Sequence, residues 1–246
     1  MKGLKAIIII FIIVFLCGLV FFIMDQSNMF HINQVNCNFL GYSEDSEKIQ
    51  EMASSLIGQK FYDGKIRSIK KEIEDLDSTK SVKFKYSFTQ ELNIEINYKD
   101  IGIIIGVTDY NDLLKGYYEI EDGIFMPLVN ENYLSLDSQK KVYINETDFS
   151  SLSNKGINEE FYYILYSVKC LLSENTLITK VKYANNSSKD FSWMSYEIPN
   201  LNIEVQVREP VSIGTLLDSS RILMKMSKND EKKTFDLYSS CLVKRF

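Results

Sequence analysis

The sequence predicts an α+β fold: a single N-terminal transmembrane helix, then a β-α-α-β-β domain, then a mixed β-sheet domain with helices. Three observations predict it. Residues 6–24 are uncharged and dominated by Ile, Phe, Val and Leu. The next seventy residues or so hold two helical stripes set among strands of period two. From residue 100 onward, strand-like runs outnumber helical ones.

The opening stretch is "MKGLKAIIIIFIIVFLCGLVFFIMDQSN". About twenty apolar residues at about 1.5 Å each match a hydrocarbon core. Lys2 and Lys5 precede the run and Asp25 follows it. The positive-inside rule then makes residues 1–5 a cytoplasmic tail and 6–24 the spanning helix, with the bulk of the chain extracytoplasmic. A cleaved signal peptide would need a small-x-small site, which "VFFIMDQS" lacks. A lipoprotein signal at Cys17 is opposed by the bulky Phe15 and Leu16 before it and by the apolar run after it.

Residues 30–99 form the first predicted domain. "FHINQVNCNFL" alternates through Phe30, Ile32 and then Val35, Cys37, Phe39, a strand with a slip in it. Ile49, Met52, Ala53, Leu56 and Ile57 share one helical face, with Gly58 at the C-terminal cap. Asp63 caps a second helix with the stripe Ile66, Ile69, Ile73, Leu76. "SVKFKYSF" and "ELNIEINY" alternate on either side of a short link, which is a hairpin.

Residues 100–246 form the second. "IGIIIGV" is continuously apolar, the pattern of a buried central strand. "GYYEIEDGIFMPL" reads as a hairpin turning at Asp122–Gly123. Residues 129–156 read as loops with one strand near "KVYI". Asn158 caps a helix carrying Phe161, Ile164, Leu165, Val168, Leu171 and Leu172. "LITKVKYA", "FSWMSYEI" and "LNIEVQV" are three strands, and "VSIGTLLDSSRILMKM" steps into a helix with Leu216, Leu217 and Leu223 inward. "TFDLYSSCLVKRF" closes the chain as a strand with no later segment to pair with.

Composition narrows the chemistry. With 28 basic against 33 acidic residues the chain carries −5, and Lys2 and Lys5 lie before the apolar run, so the rest is more acidic still. That excludes a basic nucleic-acid surface. Cys37, Cys170 and Cys241 are scattered, odd in number and without metal-ligand spacing, and read as small buried apolar groups. The single histidine, His31, has no nucleophile partner in a recognisable motif. No HExxH, GxSxG, P-loop or GxGxxG occurs, and adjacent acids such as Glu159–Glu160 and Glu121–Asp122 read as solvated faces. The expectation is a non-enzyme with no catalytic residues, cofactor, metal or small-molecule substrate.

An apolar helix followed by β-α-α-β-β resembles the anchor and POTRA domain of the bacterial cell-division family FtsQ/DivIB. Phe30, Ile32, Val35 and Gly41 match the stretch that opens that domain, Gly58, Phe61, Asp63 and Ile66 its Gly–aromatic–Asp–Ile run, and Leu92, Ile94 and Ile96 its T-L-x-I-x-V stretch. Asp77 stands where a Pro is common, and Tyr98–Lys99 replace Glu–Arg. In the β domain, Tyr117, Tyr118, Asp122 and Gly123 resemble the tyrosine-rich strand and its turn, and Val211, Ile213 and Gly214 the V-x-L-G step. Asp236, Leu237 and Tyr238 resemble the closing D-L-R-Y strand without its Arg.

The resemblance implies a bitopic scaffold in the cytoplasmic membrane, enriched at the septum and binding FtsB- and FtsL-like proteins and other divisome members. It implies that the last strand is an open edge to which an FtsB segment adds. The partner-facing residues would be Tyr238, Ser240, Cys241, Leu242, Val243, Lys244, Arg245 and Phe246, with Lys244 and Arg245 meeting acids on the partner. Two other readings stand beside it: another anchored POTRA-like module in envelope assembly or secretion, and an extracytoplasmic ligand-binding protein.

Overall fold

The computed structural model describes residues 2–26, 28–87, 89–128, 140–184, 193–226 and 231–245, with residues 2–9 described by their backbone alone. The chain divides into two compact units, Met1–Lys99 and Asp100–Phe246. Both are α+β, and both of their sheets are mixed.

Helix α1 runs Lys2–Gln26. Among the described residues, no helix is long and apolar enough to cross a membrane. The transmembrane helix expected at 6–24 is corrected accordingly: the segment is helical, and no span is found. Its last turn is tied into the first unit. Asp25 accepts hydrogen bonds from Lys60 Nζ (2.7 Å) and Tyr62 Oη (2.5 Å), and Phe21 stacks on Phe30 at 5.1 Å.

In the first unit, β1 (Gln34–Leu40) lies parallel to β3 (Glu91–Tyr98), which pairs antiparallel with β2 (Thr79–Tyr86). The strand expected from Phe30, with a slip in it, begins only at Gln34: His31 sits in an isolated bridge with Lys60, and Ile32 is fully buried ahead of the strand. Helices α2 (Ser46–Ser54) and α3 (Gly64–Glu74) connect β1 to β2. Asp63 Oδ1 accepts from Lys65 N–H at 2.9 Å and caps α3 as expected. Gly58 has φ +83, but α2 ends at Ser54, so the glycine turns the chain beyond the helix and not at its cap. Its N–H donates to Ile32 O at 2.7 Å. Ile49, Ala53, Ile66, Ile69 and Ile73 from the helices close over Leu92, Ile94 and Ile96 from β3.

In the second unit the strands are β4 (Ile104–Thr108), β5 (Leu114–Glu121), β6 (Ile124–Pro127), β7 (Lys141–Asn145), β8 (Thr179–Tyr183), β9 (Met194–Ile198), β10 (Ile203–Val207), β11 (Lys233–Leu237) and β12 (Leu242–Lys244). They form one sheet in the order β12-β11-β10-β9-β8-β7-β4-β5-β6. β4 pairs parallel with β7, β7 with β8, and β10 with β11, while the remaining neighbours are antiparallel. Every residue of β4 is buried, as its continuous apolar run predicts. Asp122 (φ +48) and Gly123 (φ +81) make the expected two-residue turn between β5 and β6.

The helices here are α4 (Glu146–Lys155), α5 (Glu159–Glu174) and α6 (Ile213–Met224). Asn158 Oδ1 caps α5 by accepting from Phe161 N–H at 2.9 Å, and Ser212 Oγ caps α6 through Thr215 N–H at 3.1 Å. Phe161, Ile164, Leu165, Val168 and Leu171 of α5 and Leu216 and Leu223 of α6 pack on the inward residues of the sheet. α4 was not expected, because 129–156 reads as loop around one strand. Its cap is Asn145, the last residue of that strand, which accepts from Asp148 N–H at 2.8 Å. Residues 129–139 of that stretch, and Phe191 and Ser192 of the "FSW" strand, lie outside the described residues.

Candidate interaction edge

The closing segment is not one strand but a hairpin. β11 takes the interior place, parallel to β10 on one side, and β12 folds back antiparallel on its other side. Ser239 and Ser240 supply the turn, closed by Tyr238 N–H donating to Cys241 O at 2.9 Å. The expectation of a single open strand is corrected here. Two alternating runs around a polar pair fold on themselves once the first has a parallel neighbour.

The register decides what β12 offers. Phe235 faces Lys244, Asp236 faces Val243 and Leu237 faces Leu242. Tyr238–Cys241, Asp236–Val243 and Thr234–Arg245 fall at the hydrogen-bonded positions, since Tyr238 N–H donates to Cys241 O and Arg245 N–H to Thr234 O, both at 2.9 Å. Leu237–Leu242 therefore falls at a position without ladder bonds, which turns the Leu242 N–H and C=O away from β11 toward the outer edge. Lys244 occupies the equivalent position two residues on. The Leu242 side chain packs against the core, while Val243 stands 46 % exposed on the other face and Tyr238 37 % exposed at the turn. Ser240, Cys241, Lys244 and Arg245 are also exposed, and Phe246 lies outside the described residues. Cys241 is thus at the surface and not among small buried groups, whereas Cys37 is half-buried with its thiol pKa pushed up by that burial.

Arg245 has an intramolecular role. Its Nη2 donates to Asp236 Oδ1 at 2.5 Å and Gln206 Oε1 at 2.9 Å, and its Nε to Asp236 Oδ2 at 3.1 Å. Arg208 Nε donates to the same Asp236 Oδ1 at 2.6 Å. The guanidinium expected to meet a partner's acid is engaged within the sheet. At the turn, Ser239 N–H donates to Glu209 Oε1 at 2.5 Å, and the Ser239 contacts hold the Glu209 carboxyl below its ordinary range.

The other end of the sheet is built differently. Leu128 N–H donates to Tyr117 O at 2.9 Å, so the neighbouring pair Pro127–Tyr118 is one without ladder bonds, and the proline ring sits where an outward N–H would be. Proline on an edge discourages strand addition. β12 contains no proline.

A hollow of about 390 Å³ opens on the outer sheet face, lined by Thr108, Leu114, Tyr143, Lys180 and the ion pair Lys182–Asp112 (2.6 Å). Lys180 (φ +52) and Asp112 (φ +60) adopt left-handed backbone there. Nothing in the sequence pattern announces this hollow, because it forms where register shifts interrupt the β4–β5 and β8–β9 ladders. Among the described residues, no three His, Cys, Asp or Glu side chains converge as metal ligands. The Asp236 cluster was equally hidden, since its four residues come from three separate runs. No protein-family model matches the chain, and no curated protein matches it.

Proposed function

We propose that the chain is a protein-binding scaffold of the FtsQ/DivIB kind, taking an FtsB- or FtsL-type division protein as an added strand along β12. One observation carries the reading: among the described residues β12 pairs on one side only, with the Leu242 N–H and C=O turned outward, while the opposite edge is blunted by Pro127. Strand addition draws affinity from backbone bonds and selectivity from alternate side chains. Val243 and Tyr238 are the exposed apolar groups able to supply the latter.

The test is capture of the purified FtsB and FtsL homologues from the same genome by the full chain. Leu242→Pro deletes the outward N–H, and Leu242→Ala is the control for loss of the side chain alone. Capture by wild type and Leu242→Ala, with about tenfold weaker capture by Leu242→Pro, supports the reading. Capture unaffected by Leu242→Pro moves the interface off β12, and no capture by a folded wild type removes the scaffold reading. The hollow at Tyr143 and Lys182 favours a second reading, an extracytoplasmic ligand-binding protein, which thermal-shift screening of small anions against wild type and Lys182→Ala would test.

A further inference from the structure

We infer that Asp236 is the positioning residue of the terminal edge: through Arg245 it holds β12 extended and in register on β11. β12 has three residues and, among the described residues, one neighbour, and so short a pairing is marginal without help. The ladder runs only from Tyr238–Cys241 through Asp236–Val243 to Thr234–Arg245, and Leu242 is only partly buried.

The help lies on the outer face. Arg245 forks across both oxygens of Asp236, a bidentate geometry that fixes direction as well as distance. Arg208 holds Oδ1 from the β10 side, which restrains the carboxylate, and Gln206 of β10 accepts from Arg245 as well. Three adjacent strands are thereby stitched through one carboxylate whose side chain is 15 % exposed. Lysine could not reproduce the fork at residue 245. The link to partner binding rests on the scaffold reading above, whereas the positioning role does not.

Residue-resolved amide hydrogen exchange on the full chain tests it, comparing wild type, Asp236→Asn and Arg245→Lys. In either variant the Arg245 amide is expected to exchange about tenfold faster, the worth of one charge-assisted hydrogen bond, while the Tyr196 and Val205 amides stay as in wild type. The double variant is expected to add little to either single one. Wild-type exchange at Arg245 in Asp236→Asn overturns the inference, as does an equal rise across the whole sheet, and Arg245→Lys decides the matter if Asp236→Asn fails to fold. Capture of the purified FtsB homologue is run beside it. Loss of capture by Asp236→Asn joins the positioning role to binding, whereas faster exchange with no capture by wild type keeps the positioning role and discards the scaffold reading.

Discussion

Gly106, in the middle of β4, sits between two tyrosines on the outer sheet face. A Cβ built on it would lie 2.7 and 2.8 Å from Tyr143 Cδ1 and Cε1 and 3.3 Å from Tyr117 Cε1. Ordinary carbon contacts begin near about 3.5 Å, so Gly106→Ala requires the Tyr143 ring to retreat by most of an ångström. Overpacking of that size costs about 1–3 kcal/mol, offset by about 0.5–1 kcal/mol because Ala is less costly to order than Gly in a strand. At the middle of both ranges the net loss is about 1 kcal/mol, a fall of about 2–4 °C in Tm for a unit of this size. The assay is urea unfolding followed by fluorescence. The sequence has a single tryptophan, and Trp193 is 1 % exposed in the core of this unit, so the signal reports that unit directly. Repeating the substitution in a Tyr143→Ala background isolates the cause: with the ring gone, Gly106→Ala is expected to be neutral or slightly stabilising. A variant as stable as wild type, or an equal loss in both backgrounds, refutes the close-approach argument.

Asn158→Ala removes the α5 cap and is expected to cost about 1 kcal/mol in the same unfolding assay, with Asn158→Asp restoring most of it; no change would mean the cap is dispensable. Leu113 N–H is the main reason the Asp109 carboxyl stays below its ordinary 3.8, with Asn111 N–H and Lys115 adding to it against an opposing effect of burial. A lowered folded pKa gives stability that is present above the unfolded value and lost as pH falls through the folded one, so the gap in urea midpoint between wild type and Asp109→Asn should shrink below about pH 4. A constant gap down to pH ~2 would rule that out. Burial pushes the Tyr162 and Tyr183 phenols up to about 12. Their contribution is present below pH 10 and lost as pH rises toward 12, so tyrosinate absorbance from these two should appear together with loss of the Trp193 signal. Ionisation near pH 10 with the fold intact would contradict it.

Periodicity and caps made most elements legible. Asp63 and Asn158 cap the helices they were expected to cap, and the alternation in "ELNIEINY" and the apolar run in "IGIIIGV" set the burial of β3 and β4. Two kinds of information were out of reach. The polar segment Glu146–Lys155 buries few side chains, so its weak stripe does not announce a helix. Ser239–Ser240 lacks the Asn-Gly or Asp-Gly chemistry that marks a tight hairpin, so the fold-back of β12 was invisible. The Asp236 cluster depends on β10 and β11 lying parallel, a tertiary fact that no local pattern encodes.

The parallel pairing of β1 with β3 carries a consequence for how the first unit assembles. Its two partners are separated by both helices and the whole of β2, so β1 has no strand to dock on until Glu91–Tyr98 has been made. The β2–β3 hairpin is local and closes first at little entropic cost, whereas seating β1 closes a much longer loop. Substitutions in β1, such as Val35→Ala or Phe39→Ala, should then accelerate unfolding and leave the refolding rate nearly untouched, while those in the hairpin should slow refolding. Until that late step, Val35, Cys37 and Phe39 are exposed on an uncharged strand, the state of this unit most open to association with other chains.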